Sequence, residues 1–184
     1  MRVIAGSARG RILKSPRGMS TRPTADRVRE ALFNILSPLV PDSRFLDLFS
    51  GTGAVAIEAL SRGAARAVLV EKDRQTAGII YENLKLCGLL NQAEVLAMDV
   101  DRGLQVLGQR KDVFDLIFID PPYRKGFEKP TIEKVLRHNI LAAGGIAVVE
   151  SNRADLPPDR VGNLVAYRCQ QYGDTALTFY RFDS

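Results

Sequence analysis

The chain has no tryptophan, a single histidine and only two cysteines. Cys87 and Cys169 stand far apart, which gives neither a disulfide framework nor the close Cys/His spacing of a zinc site. His138, between Arg137 and Asn139, reads as a solvated helix residue. A histidine-based triad is thereby excluded, and no metal is expected. No apolar run approaches the roughly 20 residues that a membrane-crossing helix needs. No leader pattern, charged and then apolar, opens the sequence. The expected setting is cytoplasmic, with no membrane partner. Internal repeats and low-complexity segments are also missing, which excludes a solenoid or a tail-dominated chain.

What is present is an ordinary globular composition. Hydrophobic residues make up 46% and charged residues 26% of 184 positions, enough for one domain with a sizeable core and little for a second. A monomer is the expected state. The net charge of +5 is unevenly spread. The first 30 residues carry eight basic side chains (Arg2, Arg9, Arg11, Lys14, Arg17, Arg22, Arg27 and Arg29) against Asp26 and Glu30. The remaining 154 carry 18 basic and 19 acidic ones, so all the excess positive charge sits at the start. A basic segment on a near-neutral body suggests a polyanion partner, although a solvated, disordered arm would show the same charges. Val3-Ile4 and Ile12-Leu13 flank the turn Gly6-Ser7-Ala8-Arg9-Gly10, and this pattern predicts a structured basic β-hairpin.

Residues Ser15 to Pro23 read as a loop, and Thr24 as the N-cap of a helix with apolar positions Val28, Ala31, Leu32, Ile35 and Leu36, ended by Pro38. Strands and helices then alternate. Strands are predicted over Phe45–Phe49, Ala67–Glu71, Ala93–Met98, Phe114–Ile119 and Gly145–Glu150. Helices are predicted over Ala54–Arg62, Asp73–Cys87, Asp101–Leu107 and Ile132–Asn139. Leu164–Gln170 and Ala176–Phe182 close the chain as antiparallel neighbours, which makes seven strands. The fold class is α/β: a doubly wound, mostly parallel seven-stranded sheet, Rossmann-like, with an N-terminal basic extension at 1–23 and the main domain at 24–184.

Asp120-Pro121-Pro122-Tyr123 closes the apolar run Val113–Ile119. Proline has no N–H, so the turn offers a carboxylate and carbonyls, all of them acceptors. Tyr123 adds a face for stacking. An exocyclic base amine, with two N–H donors on a flat ring, matches both features. A plain proline-rich strand cap uses the same dipeptides.

Ligands of an open α/β sheet bind beyond the strands' carboxyl ends. Four polar groups fall there: the loop Asp47-Leu48-Phe49-Ser50-Gly51-Thr52-Gly53, Glu71, Asp99 and Asp120. The glycines let backbone approach a ligand ahead of a helix N-terminus. Glu71 can accept from both hydroxyls of a ribose, and Asp99 from an adenine amine. Gly-x-Gly-x-x-Ala, here Gly51 to Ala56, is shared with dinucleotide enzymes, and an NAD-dependent oxidoreductase stays open on it. Asp47, placed to orient the loop or take an ammonium, and the amine-binding turn favour S-adenosylmethionine. The candidate cofactor set is Asp47, Phe49, Ser50, Gly51, Gly53, Glu71 with Lys72, and Asp99 with Val100.

The Asp-x-Phe-x-Gly-x-Gly loop, the acid after the second strand and the Asp-Pro-Pro-Tyr turn resemble class I methyltransferases acting on exocyclic amines. Arg2-Val3-Ile4-Ala5-Gly6, Gly10-Arg11-Ile12-Leu13 and Arg22-Pro23-Thr24-Ala25-Asp26-Arg27-Val28-Arg29-Glu30-Ala31-Leu32-Phe33-Asn34 resemble the opening of the RsmD family. The resemblance spans essentially the whole chain. It implies methylation of guanine N2 in bacterial 16S ribosomal RNA, at guanine 966, within the small subunit or an assembly intermediate. Some relatives carry Phe in place of Tyr123 and others Asn in place of Asp99. Asp120, Pro121 and Tyr123 become the candidate catalytic residues, with Asp120 expected at an ordinary carboxylate pKa. Arg9, Arg11, Lys14, Arg22, Arg27 and Arg29 become candidate phosphate contacts. A DNA amino-methyltransferase and a non-catalytic RNA-binding module are the other readings; the first would need a target-recognition region for which the chain has no room.

Overall fold

The computed structural model describes residues 1–16, 23–123 and 125–184. Helix α1 (Pro23–Leu36) precedes β1 (Arg44–Leu48), α2 (Ala54–Ser61), β2 (Arg66–Val70), α3 (Arg74–Cys87), β3 (Ala93–Leu96), α4 (Val100–Gln109), β4 (Phe114–Ile119), α5 (Glu128–Arg137) and β5 (Leu141–Asn152). The antiparallel end is β6 (Arg160–Val161), β7 (Leu164–Tyr172) and β8 (Thr175–Phe182). The sheet has eight strands in the order β3-β2-β1-β4-β5-β8-β7-β6. The short β6, with only two residues, is the strand beyond the expected seven, since so short a piece leaves no periodic pattern. Pairing is parallel from β3 to β5 and antiparallel from β5 outward.

Local chemistry explains most boundaries. The Asp73 side chain accepts from the Thr76 N–H to start α3, and Gly88 at φ 70° ends it. Asp99 accepts from the Arg102 N–H to start α4, one residue ahead of the predicted onset. Helix α1 begins at Pro23, so Thr24 lies inside the helix rather than capping it; proline's fixed φ and missing N–H suit a first turn. β5 runs from Leu141, four residues before the expected Gly145, because a register irregularity against β4 between Phe114 and Leu116 admits the Ala142–Gly144 stretch into the strand.

The central strands are apolar on both faces because helices cover both. Phe45, Leu69 and Phe118 point into one core layer with Phe33, Ile57 and Leu84. Leu46, Leu48, Ile117 and Ile119 point into the other with Leu104, Leu107, Ile132 and Val135. The N-terminal segment joins the first layer through buried Val3, Ala8 and Leu13. Its pairing is narrower than a full hairpin: one antiparallel bridge, Arg2 with Ile12. Backbone bonds from Val3 N–H to the Arg11 carbonyl and from Leu13 N–H to the Met1 carbonyl flank it, and side chains of the domain add to this short ladder. Glu58 accepts from the Ile4 and Ala5 N–H groups, Ser61 Oγ accepts from the Ala8 N–H, and Asn83 accepts from the Lys14 N–H and donates to the Lys14 carbonyl. Gly6, at φ 83°, lies so close to α2 that a Cβ would sit 1.7 Å from the Ser61 carbonyl oxygen. Among the described residues, no helix is long and apolar enough to cross a membrane.

Candidate active site

The strand order turns between β1 and β4, the place where an open α/β sheet opens a crevice. A cavity of about 540 Å³ lies there, within the usual size range of small-molecule sites. Phe49 and Gly51 line it from the loop after β1, and Glu71 and Lys72 from the end of β2. Asp99, Val100 and Asp101 come from the start of α4, and Asp120, Pro121, Pro122 and Tyr123 from the turn after β4. Parallel strands in register therefore bring together residues that lie tens of positions apart.

The first loop is shaped by its own polar atoms. Asp47 is buried at the end of β1 and accepts from the Ala56 N–H at 3.3 Å. Burial, only partly offset by that bond, pushes its carboxyl up to about 8. The Ser50 hydroxyl donates to the Asp47 carbonyl at 2.7 Å. Gly53, at φ 79°, packs so near Leu69 and Ile80 that a Cβ would meet them at 3.1 and 3.2 Å. Asp47, Ser50 and Gly53 thus hold the loop from behind and do not line the cavity; Phe49 and Gly51 form its wall.

Glu71 uses both carboxylate oxygens on backbone, accepting from Gly51 N–H and Asp73 N–H, each at 2.9 Å. Every oxygen keeps a lone pair for a ligand hydroxyl. Asp99 spends Oδ1 on its helix-capping bond and lines the cavity. Two lysines also line the cavity. Lys72 is exposed, and the Lys134 ammonium is held by Asp101 at 2.5 Å. Among the described residues, no cluster of three or more His, Cys, Asp or Glu is placed to hold a metal ion.

Asp120 departs from its expected pKa. The residue is half-buried and stands near the carboxyls of Glu150 and Asp47, so its pKa is raised well above the ordinary range, first by burial and then by the like charges. The Tyr123 hydroxyl donates to Glu150 Oε1 at 3.2 Å, and burial together with Glu150 pushes the phenol up to about 12. Glu150 ends the core-covered part of β5 by the same strand-end rule that singled out Glu71 and Asp120. Sequence reasoning passed over it, although the predicted strand Gly145–Glu150 stopped on it. Phe127, which faces Phe49 with ring centroids 6.4 Å apart, carried no signal in the sequence.

The basic candidates divide. Arg9, Arg11 and Arg27 are exposed. Lys14 is exposed and paired with Glu82 at 2.8 Å. Arg22 lies outside the described residues. Arg29 is a correction: it is 5% exposed, donates to the Arg2 carbonyl at 2.6 Å and to Asp26 at 3.2 Å, and sits 3.8 Å from buried Glu58. A guanidinium so enclosed has no face left for a phosphate. It ties α1 to the N-terminal segment.

A family model described as "conserved hypothetical protein 95" matches residues 1–181. The chain is 39% identical over 181 residues to a putative rRNA methyltransferase, YlbH, of Bacillus subtilis, covering 98% of each. It is 36% identical to the ribosomal RNA small subunit methyltransferase D of Escherichia coli K12, covering 98% of this chain and 89% of that protein. A solved structure of a putative methyltransferase from Escherichia coli superposes with a TM-score of 0.86 at 33% identity, covering 100% of this chain and 98% of that one.

Proposed function

This chain belongs to the conserved hypothetical protein 95 family and is an RsmD-type class I methyltransferase; from that premise we propose that it methylates guanine N2 in bacterial 16S ribosomal RNA. The donor is S-adenosylmethionine, and the target is guanine 966 by resemblance. The substrate is the small subunit or an assembly intermediate, and the enzyme acts as a monomer. Residues 1–23 serve as the RNA-binding extension of the methyltransferase domain at 24–184. The boundary is one of role, since the extension shares the domain's core.

The observation that carries this reading is the cavity's excess of acid. Glu71, Asp99, Asp101 and Asp120 line it against Lys72 and Lys134, the second lysine paired with Asp101, and burial with the nearby carboxyls of Glu150 and Asp47 raises Asp120. A dinucleotide pyrophosphate would meet repulsion. A ligand bearing an ammonium and a sulfonium would relieve it. Gly51 and Glu71 fit its ribose and methionine portions, Asp99 and Val100 its adenine, and Phe49 the apolar faces. When bound, S-adenosylmethionine supplies a methyl group on a cationic sulfur that needs no metal to leave.

Asp120 and the Pro121 carbonyl accept the two N–H bonds of the guanine amine, and Tyr123 stacks on the base. A cation bound nearby favours the ionised form of Asp120, so its carboxylate is ready to accept once the site is filled. Holding the amine in line for transfer is the main work of the turn. Arg9, Arg11, Lys14, Arg22 and Arg27 grip phosphates, supplying affinity with little sequence reading.

Nucleoside mass spectrometry of ribosomal RNA from cells lacking the protein tests the whole reading. Loss of one N2-methylguanosine from 16S RNA is expected, and an unchanged profile would overturn it. Isothermal titration separates the cofactor: S-adenosylhomocysteine should bind and NADH should not.

A further inference from the structure

Glu150 stands where the catalytic turn is anchored, yet it does not line the cavity. β4 and β5 pair in parallel with Ile119 opposite Val149, so the next residue of each strand, Asp120 and Glu150, emerges at the same level. β5 and β8 hold Glu150 firmly, with Glu150 opposite Leu177. An acid there follows Ala147, Val148 and Val149, all buried, and its presence at the end of an apolar run calls for a polar partner. Among the described residues, its side-chain hydrogen-bond partner is the Tyr123 hydroxyl.

Tyr123 has one other polar neighbour for its hydroxyl, the Thr175 side chain. The tyrosine is 45% exposed, and neither preceding proline can donate a backbone hydrogen bond. A ring meant to present a flat face to a base gains from one fixed orientation, because each freely turning bond has to be frozen when the base arrives. The phenol stays a donor at neutral pH, since its pKa is pushed up to about 12.

We propose that Glu150 is a positioning residue for the target base, accepting the Tyr123 hydroxyl so that the ring is fixed beside Asp120. The inference rests on the base-holding role given above to Asp120-Pro121-Pro122-Tyr123. Glu150 acts through Tyr123 and touches neither donor nor base.

The test is steady-state methyl transfer by the full chain to small-subunit RNA at saturating S-adenosylmethionine, with cofactor binding measured separately. Glu150→Leu should raise KM for RNA about tenfold, the low end for a charge-assisted hydrogen bond, and leave cofactor affinity unchanged. Glu150→Gln keeps a carbonyl acceptor and should stay near wild type. Tyr123→Phe removes the donor from the other side without touching β5, and it should reproduce the KM effect. In that background Glu150→Leu should add nothing. An unchanged KM in Glu150→Leu overturns the proposal, as does an equal rise with and without the Tyr123 hydroxyl. If Tyr123→Ala also leaves KM and turnover at wild type, the base-holding reading of the turn fails, and the positioning role fails with it.

Discussion

Glu58 and Asp120 are both acids drawn in from solvent, the first fully buried and the second half-buried at the cavity, but their surroundings differ. Glu58, fully buried on α2, is met by the Ile4 and Ala5 N–H groups, by Arg62 at 2.8 Å and by Arg29 at 3.8 Å. Asp120 faces two further carboxyls, Glu150 and Asp47, and its pKa rises. One acid is neutralised by the protein and becomes a structural clamp. The other is left with like charge around it, so its balance waits on something from outside. Buried carboxylates with a complete set of donors read as scaffold, and those without one read as a site for a cationic ligand.

Breaking the clamp should have the largest effect. Glu58→Ala frees the Ile4 and Ala5 N–H groups and takes the shared buried carboxylate from Arg62 and Arg29, which keeps Asp26 and the Arg2 carbonyl, a loss of about 3–5 kcal/mol. Urea unfolding should show it directly. A loss under about 1 kcal/mol, the level of an exposed ion pair, would mean that Glu58 is no better placed than a surface acid.

The cavity side should respond to pH in the opposite sense to a salt-bridged acid. The Asp47 carboxyl is raised from 3.8 to about 8, so the folded protein holds a proton that the unfolded chain releases. Its stabilising contribution is complete below about 4 and declines as pH rises toward about 8, at roughly 1.4 kcal/mol per pH unit. Between pH 5 and 7 the ligand-free protein should therefore lose about 2–3 kcal/mol from this residue. Asp47→Asn should flatten that slope in urea titrations. An identical slope in the variant would place the titrating group elsewhere.

Asp120→Ala should separate activity from stability. Removing one charge-assisted acceptor of about 1.5–3 kcal/mol slows single-turnover transfer by roughly ten- to two-hundred-fold. The urea midpoint should not fall, because a carboxyl crowded by like charges is being deleted. Wild-type rates would reduce the turn to a strand cap.

The smallest effect belongs to the exposed cations. Replacing Arg9, Arg11 and Lys14 together by Ala should weaken RNA binding for any sequence and flatten the slope of log K against log salt by about 2–3 units, at roughly 0.7–0.9 per phosphate contact. Since Lys14 already pairs with Glu82, the lower figure is the expected one. Cofactor affinity should not change, and an unaltered slope would turn this segment away from the RNA.

Most of the fold was legible because its signals are local. The apolar run before Asp120, the glycines of the first loop and the Asp73 and Gly88 ends of α3 each depend on residues a few positions apart. The same holds for Glu71, Asp99 and Asp120, which strand ends alone bring to one edge of a parallel sheet. Arg29 was misread because its fate depends on Glu58 and on the Arg2 carbonyl, both distant in sequence. In the chain it is simply one more arginine in a basic stretch. β6 was missed because two residues carry no period, and Phe127 because no pattern in the sequence points a loop phenylalanine back toward Phe49.

The sequence by itself determined the alternation of strands and helices, the acceptor-only character of Asp120-Pro121-Pro122-Tyr123, and the row of acids at the strand ends. Those follow from side-chain type, backbone restriction and spacing. Only the tertiary structure decided which charges are satisfied. It placed Arg29 and Arg62 against Glu58, and Asp47 and Glu150 near Asp120. Electrostatic energy depends on distance in space and on exclusion of water, and neither is written in the order of residues along the chain.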